Sequence, residues 1–352
     1  MFVVVAPGLE PVAATELAEV GIPTGRIRVQ HGGLDVQATA RQLYAIHHWA
    51  RIPTRVLVRV ATGTARRWDE LQELIRSVDW AAYVGEGSPV ELHVASHRSV
   101  LYHEGAIAER AEAALAHPTR KGAQGVHIRI DRDRVVLSID ATGELLHRRG
   151  WRTEAHRAPL RTTLAAAMVR ASRWDGASPL VDPMAGSGTI PIEAASWATG
   201  KPIGRDFAFQ QWPSFEPGTW ASVRGAGRPD RLAHPVVAAD RDAGSAEMIR
   251  THVAAVGLEG RVLVQHAALA AQEWPSEPSI VVVNPPYGQR LGGRDLRDLA
   301  ATLGRRVTEG GHRLCLLSAD ERFSAATGLA LDEVFATTNG GIKVRCLLSA
   351  SA

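Results

Sequence analysis

From Phe2 to Val60, short apolar runs alternate with stretches of helical period. The pattern predicts a strand over Phe2 to Ala6, a helix over Pro11 to Val20, and strands at Arg26 to Gln30 and Leu34 to Gln37 turning at His31-Gly32-Gly33. A helix over Ala40 to Ala50 and a strand from Arg55 to Val60 follow. That βαββαβ order is the order of a small ferredoxin-like unit. The pattern restarts at Trp68 with a helix to about Trp80, a strand from Val90 to Ala95 and a helix from Gly105 to Ala116. Two strands close it, Val126 to Ile130 and Val135 to Asp140, turning at Asp131-Arg132-Asp133. This second stretch has no catalytic signature and reads as a binding unit.

After a helix expected over Leu160 to Arg173, the alternation becomes strict. Strands are predicted at Pro179 to Asp182, Val236 to Asp240, Val262 to Gln265, Ile280 to Asn284 and Leu314 to Ser318, with helical stretches between most of them. Near-continuous apolar strands of this kind imply a doubly wound α/β domain, with a parallel sheet covered on both faces. The last two strands, Leu331 to Thr338 and Ile342 to Leu348, flank the hairpin turn Asn339-Gly340-Gly341. A Rossmann-like parallel sheet finished by an antiparallel hairpin resembles the class I methyltransferases; dinucleotide dehydrogenases continue in parallel. The expected division is therefore residues 1–60, 61–150 and 151–352.

The 352 residues have room for two or three cores, and 45% hydrophobic with 22% charged residues is an ordinary globular balance. The run from Phe2 to Ala6 has no basic segment before it and stops at Pro7-Gly8. No stretch approaches 18 apolar residues, so the expectation is a cytoplasmic chain without a membrane span. Cys315 and Cys346 sit in apolar strands without zinc spacing, which predicts inert core thiols and no metal. A net charge of +3, carried mostly by arginine, permits nucleic-acid binding without requiring it. The basic run Gly143 to Arg152 is either a solvated linker or an RNA backbone contact through Arg148, Arg149 and Arg152.

Two loops carry candidate chemistry. Asp182-Pro183-Met184-Ala185-Gly186-Ser187-Gly188 joins a strand to a helix at a strand's carboxyl end, where open sheets bind ligands. Gly186 and Gly188 let the backbone approach a ligand, and no Lys-Ser or Lys-Thr follows to make a Walker loop. Asp240 ends the next strand, placed for ribose hydroxyls, and Asp242 suits a helix N-cap. Asn284-Pro285-Pro286-Tyr287 follows the most apolar strand. An exocyclic amine on a base is a poor nucleophile because its lone pair is delocalised. The Asn284 side-chain oxygen and the Pro285 carbonyl can each accept one of its N–H groups and hold it in line with a methyl donor. The prolines stiffen the loop, and Tyr287 offers a face to an extruded base. The insert from Gly204 to Trp220 concentrates Phe207, Phe209, Trp212, Phe215 and Trp220 in a chain that is 5% aromatic. Packing across the helices of the sheet or stacking on bases would each explain it.

With these motifs placed, the chain resembles the THUMP-domain RNA methyltransferases, especially the guanine-N2 enzymes of ribosomal and transfer RNA. The resemblance runs nearly full length: Ala6 to Glu10, Gly143 to Arg152, Ala158-Pro159-Leu160 with Thr163 to Ala167, Asp182 to Thr189, and Asn284 to Leu291. It implies S-adenosyl-L-methionine as cofactor, structured RNA as partner, and methyl transfer to N2 of a guanosine. RNA would be held by the ferredoxin-like unit and a THUMP domain. It also implies that Asp182, Gly186, Gly188 and Asp240 line the cofactor while Asn284 and Pro285 hold the amine. The wider expected contact set takes in Leu160, Pro183, Met184, Ala185, Ser187, Arg241, His266 and Ala267, with Pro286 and Tyr287 completing the catalytic loop. One departure stands out: relatives usually carry an acidic adenine contact just after the third strand of the parallel sheet, and Gln265-His266-Ala267-Ala268 supplies none. An adenine-N6 or protein-glutamine methyltransferase would use the same Asn-Pro-Pro-Tyr loop. A non-catalytic RNA-binding or ribosome-assembly factor is the alternative outside enzymes.

Overall fold

The structure, a computed structural model, describes residues 1–152, 160–286 and 293–350. The first half opens as β1 (Phe2–Val4), α1 (Glu10–Glu19), β2 (Ile27–Gln30), β3 (Gly33–Val36), α2 (Ala40–Trp49) and β4 (Arg55–Thr64). It continues through α3 (Trp68–Arg76), β5 (Val90–His97), α4 (Glu104–Leu115), β6 (Gln124–Asp131) and β7 (Arg134–Asp140). These strands form one seven-stranded sheet in the order β2-β3-β1-β4-β7-β6-β5. The expected boundary at residue 60 falls inside β4. That strand pairs with β1 through Arg55 to Leu57 and with β7 from Leu57 to Thr64, so the ferredoxin-like unit and the second unit share a sheet. The helix expected to reach Trp80 stops at Arg76, because the Trp80 indole turns back and donates to the Ile75 carbonyl at 2.8 Å, satisfying a helix-end acceptor.

The second half runs α5 (Thr162–Ala171), β8 (Leu180–Asp182), α6 (Thr189–Ala198), α7 (Pro217–Gly225), β9 (Val236–Asp240), α8 (Ala243–Val256), β10 (Val262–His266) and β11 (Ile280–Val283). It ends with α9 (Gly293–Glu309), β12 (Arg313–Ser318), α10 (Glu321–Ala326), β13 (Leu331–Asn339) and β14 (Ile342–Ser349). The sheet order is β10-β9-β8-β11-β12-β14-β13, parallel from β10 to β12. The terminal hairpin is antiparallel, as its Asn-Gly-Gly turn predicts. Cys315 and Cys346 are buried neighbours on β12 and β14, their sulfurs 3.5 Å apart.

The aromatic insert packs, but against the first half of the chain rather than across the helices of its own sheet. Phe209 stacks on Tyr44 of α2 at 4.6 Å, Trp220 meets Tyr44 edge-on, and the Trp212 indole donates to the Gln124 side-chain oxygen at 2.8 Å. Backbone hydrogen bonds from Ile203 to His48, Phe209 to Ala141 and Ser214 to Ala82 complete the join. At the opposite edge the Ala6-Pro7-Gly8 loop lies on β13, where a Cβ on Gly8 would stand 1.7 Å from the Ala336 carbonyl oxygen. The Ala6-Pro7-Gly8 motif therefore docks the two halves.

His47 is buried in this joint between the Leu43 carbonyl and the Thr142 hydroxyl, at 2.9 and 3.0 Å. Burial, aided by the nearby Arg205 charge, pushes its pKa down to about 4. The unfolded imidazole binds its proton near pH 6.5, so stability present at pH 7 is lost as the pH falls below that value toward 4. His47 alone should cost about 2 kcal/mol by pH 5. Urea unfolding of the parent chain and of His47→Gln at pH 7 and pH 5 isolates it, since His48 and His127 are also pushed down and add to the parent's loss; an equal pH dependence in the two chains would show that His47 does not enter the fold neutral.

Candidate active site

β11 is apolar throughout, and β8 and β9 are apolar up to a terminal Asp, because both faces of the sheet are covered; each releases its chain at the carboxyl end into one cavity of about 600 Å³. Asp182 ends β8 fully buried, its carboxylate accepting the Met184 amide at 3.2 Å. Burial pushes this carboxyl well above the usual range; the Asp240 charge adds to the rise and the Met184 amide opposes it. A cation in the cavity would favour its ionised form.

The glycine loop is stitched onto β9. Ala185 donates to the Ala239 carbonyl at 2.9 Å, and Gly186 donates to the Asp240 carboxylate, also at 2.9 Å. The other Asp240 oxygen accepts the Asp242 amide at 3.0 Å, and Asp242 caps α8 by accepting from Ser245. Asp240 thus both lines the cavity and sets the loop's shape. Gly186 has φ +54, and a Cβ there would meet nothing within 4 Å: it faces open cavity. Gly188, at φ +80, is the N-cap of α6, where a Cβ would crowd Ile249 at 3.1 Å. Its role is to bring α6 against α8; it does not line the cavity.

At the end of β11, Asn284, Pro285 and Pro286 line the same cavity. The Asn284 Oδ1 is buried and has no hydrogen-bond partner among the described residues. A buried acceptor without a donor is costly, which marks a place where a ligand N–H belongs. Tyr287 and the Ala158-Pro159 pair lie outside the described residues.

Leu160, Pro183, Met184, Ala185, Ser187 and Arg241 line the cavity. His266 and Ala267 are not among the described residues that line it: His266 is exposed, and the Ala267 amide donates to the Asp240 carbonyl at 3.0 Å. Three groups escaped sequence reasoning. The lining also takes in Arg161 at the start of α5, Leu269 and Gln272 from the loop after β10, and Asn339, Gly340 and Ile342 from the terminal hairpin. The hairpin could have been foreseen, since β14 must run antiparallel to β12 and so begins at the carboxyl ends of the parallel strands.

The basic run separates into unlike residues. Arg148 is exposed and, among the described residues, pairs with Glu144 one turn away. Arg149 does not face solvent: its side chain is 4% exposed, grips both Glu193 oxygens and donates to the Leu146 and Arg51 carbonyls. The expectation of an RNA contact there is corrected, because an acid on α6 pairs with the guanidinium inside the protein. Arg152 donates to Thr189 at 2.8 Å and to the Leu160 carbonyl at 3.2 Å, beside the cavity.

Fold and cavity together define a class I methyltransferase domain, whose cofactor is S-adenosylmethionine. The cavity fits that group: Gly186 leaves its backbone open to a ligand, the buried Asp182 and half-buried Asp240 offer carboxyl oxygens to a cationic ligand, and Asn284 presents an acceptor that no described residue uses. Residues 149–347 match the RMKL-like methyltransferase domain family and residues 1–57 match the RlmL ferredoxin-like domain; the chain belongs to the RMKL-like methyltransferases. It is 29% identical to a putative RNA methyltransferase of Synechocystis sp., over 97% of this chain and 94% of that one. It is 30% identical to the ribosomal RNA large subunit methyltransferase K/L of Aliivibrio fischeri, over 96% of this chain and 52% of the relative. The chain thus spans about half the length of its K/L relatives. Among solved structures it superposes on SMU.472, described as a putative methyltransferase complexed with SAH, with a TM-score of 0.89 and 27% identity, covering 100% of this chain and 97% of that one.

Replacing Gly186 by Val would put a branched side chain into the cavity at a positive φ. The expected result is at least tenfold weaker binding of S-adenosylhomocysteine by calorimetric titration, from steric filling and backbone strain together. Unchanged affinity would place the cofactor elsewhere.

Proposed function

We propose that the chain methylates the exocyclic N2 of a guanosine in structured RNA. The observation that carries this reading is the buried, unpaired Asn284 Oδ1 beside the Pro285 backbone. Two acceptors suit a planar amine with two N–H groups, whereas a ring nitrogen attacking through its own lone pair offers none to receive. When bound, S-adenosylmethionine supplies an electrophilic methyl group on a sulfonium. Asn284 and the Pro285 carbonyl orient the amine and favour the positive charge that grows on its nitrogen as it attacks. Pro285 and Pro286 bring no N–H donor that would compete for the acceptors.

RNA as the substrate is supported by the relatives named for RNA and by a THUMP-like reading of residues 61–150. The docked first half would hold the RNA body at a fixed distance from the cavity. Arg148, with its exposed guanidinium, is the member of the basic run available to a phosphate. Labelled methyl transfer from the cofactor to total RNA of a strain lacking the gene, followed by nucleoside analysis, tests the reading. N2-methylguanosine is the expected product; N6-methyladenosine, or label only in protein, would overturn it.

A further inference from the structure

The cavity wall past Asp240 is built by the loop after β10, and it is unlike the glycine-loop side. Leu269 and Gln272 form it, both buried and neither a carboxylate. The Gln272 amide is fully engaged within the protein. Its Nε2 donates to the Pro183 carbonyl at 2.9 Å and to the Ala267 carbonyl at 3.2 Å, while its Oε1 accepts the Trp274 indole at 3.1 Å. Pro183 belongs to the glycine loop and Ala267 to the exit of β10, so one side chain spans the two loops bordering this end.

The brace continues outward. Arg306 of α9, the helix that follows the catalytic loop, donates to the Leu269 and Gln272 carbonyls and lies over the Trp274 ring at 4.1 Å. Gln265 secures the same loop by exchanging hydrogen bonds with the Glu273 backbone, at 2.7 and 3.0 Å. An acceptor that reads the adenine amino group is thus missing from both wall side chains, and in its place stands a loop whose polar side chains are spent on holding its shape.

We propose that Gln272 is the positioning residue of the cofactor's base end. It fixes the gap between the Pro183 and Ala267 loops, so that the adenine is held by a preformed apolar slot instead of by a carboxylate on its amino group. Preorganisation of this kind strengthens binding by removing the ordering that a loose loop would undergo.

The inference rests on the cofactor assignment; its two binding titrations need no RNA and can fail without the RNA reading failing, and only the KM and kcat comparison uses an RNA acceptor. S-adenosylhomocysteine is titrated into the full chain and into its Gln272→Leu form. Affinity is expected to fall about 10- to 100-fold, and KM for S-adenosylmethionine to rise in step while kcat at saturating cofactor stays within threefold. An affinity within twofold, or a lower kcat at unchanged KM, overturns the proposal. The second measurement needs no variant: the S-adenosylhomocysteine analogue lacking the 6-amino group is titrated into the unaltered chain. A slot reading shape should bind it within tenfold of the parent compound. A greater loss means that the amino group is read by hydrogen bonding, which also overturns the proposal.

Discussion

Asn284→Ala is expected to bind S-adenosylhomocysteine within about twofold of the unaltered chain while its kcat falls a hundredfold or more. The Oδ1 is shut away from water with no donor among the described residues, at the end of an apolar strand and ahead of two prolines. It therefore pays no reorganisation as charge builds on the attacking nitrogen, which is the condition under which an acceptor favours the transition state over the ground state. Loss of one such fixed group is worth ~3 kcal/mol, or somewhat more than a hundredfold in rate. Single-turnover rates at saturating cofactor and RNA, alongside calorimetry, separate the two effects. Near-normal turnover would remove Asn284 from the chemistry, and a matching loss of cofactor affinity would make it a binding residue.

The parts of this site that were legible in the sequence lie within a few residues of a strand end. A short apolar run announces where β8, β9 and β11 stop, so Asp182, Asp240 and Asn284 could be placed at one sheet edge from the sequence. Side-chain direction within a loop is not written in that pattern. Gly186 and Gly188 look equivalent, yet one faces the cavity and the other the Ile249 side chain. Partners distant in the chain were equally hidden. Neither Gln272, bound to a carbonyl 89 residues earlier, nor the aromatic insert, packed on α2, carries a local signal of where its partner is. The departure at Gln265 to Ala268 was visible, but the brace at Gln272 was not, because it joins the neighbouring Trp274 indole to Pro183 and Arg306 from two distant segments. The shared strand β4 shows the same limit: its pattern fades after Val60, while its pairing with β7 continues to Thr64.

Glu193→Gln is expected to destabilise the chain by about 3–5 kcal/mol, whereas Arg148→Ala should change stability by less than about 0.5 kcal/mol. The two residues differ in surroundings. Glu193 is 1% exposed and sits between Arg51 and Arg149, themselves 6% and 4% exposed, accepting from Arg51 at 3.0 Å and from Arg149 at 3.1 and 3.4 Å. Arg51 comes from the first sheet's half and Glu193 from α6, directly behind the glycine loop, so the cluster is also a joint between the halves. Neutralising the acid strands two buried guanidiniums, while Arg148 loses only a solvated partner. Burial alone would raise the Glu193 carboxyl, but the Arg149 and Arg51 charges outweigh it and hold the group below its ordinary value. A carboxyl depressed in the folded state stabilises above the unfolded pKa of about 4.3 and loses that contribution as the pH falls through the folded value. The gap between the parent chain and Glu193→Gln should therefore be widest near neutrality and narrow below about pH 4 in urea unfolding curves. Equal losses for Glu193→Gln and Arg148→Ala would mean that the buried charges do not hold the joint. A large loss for Glu193 alone would explain why the basic run keeps Arg149 for reasons unrelated to RNA.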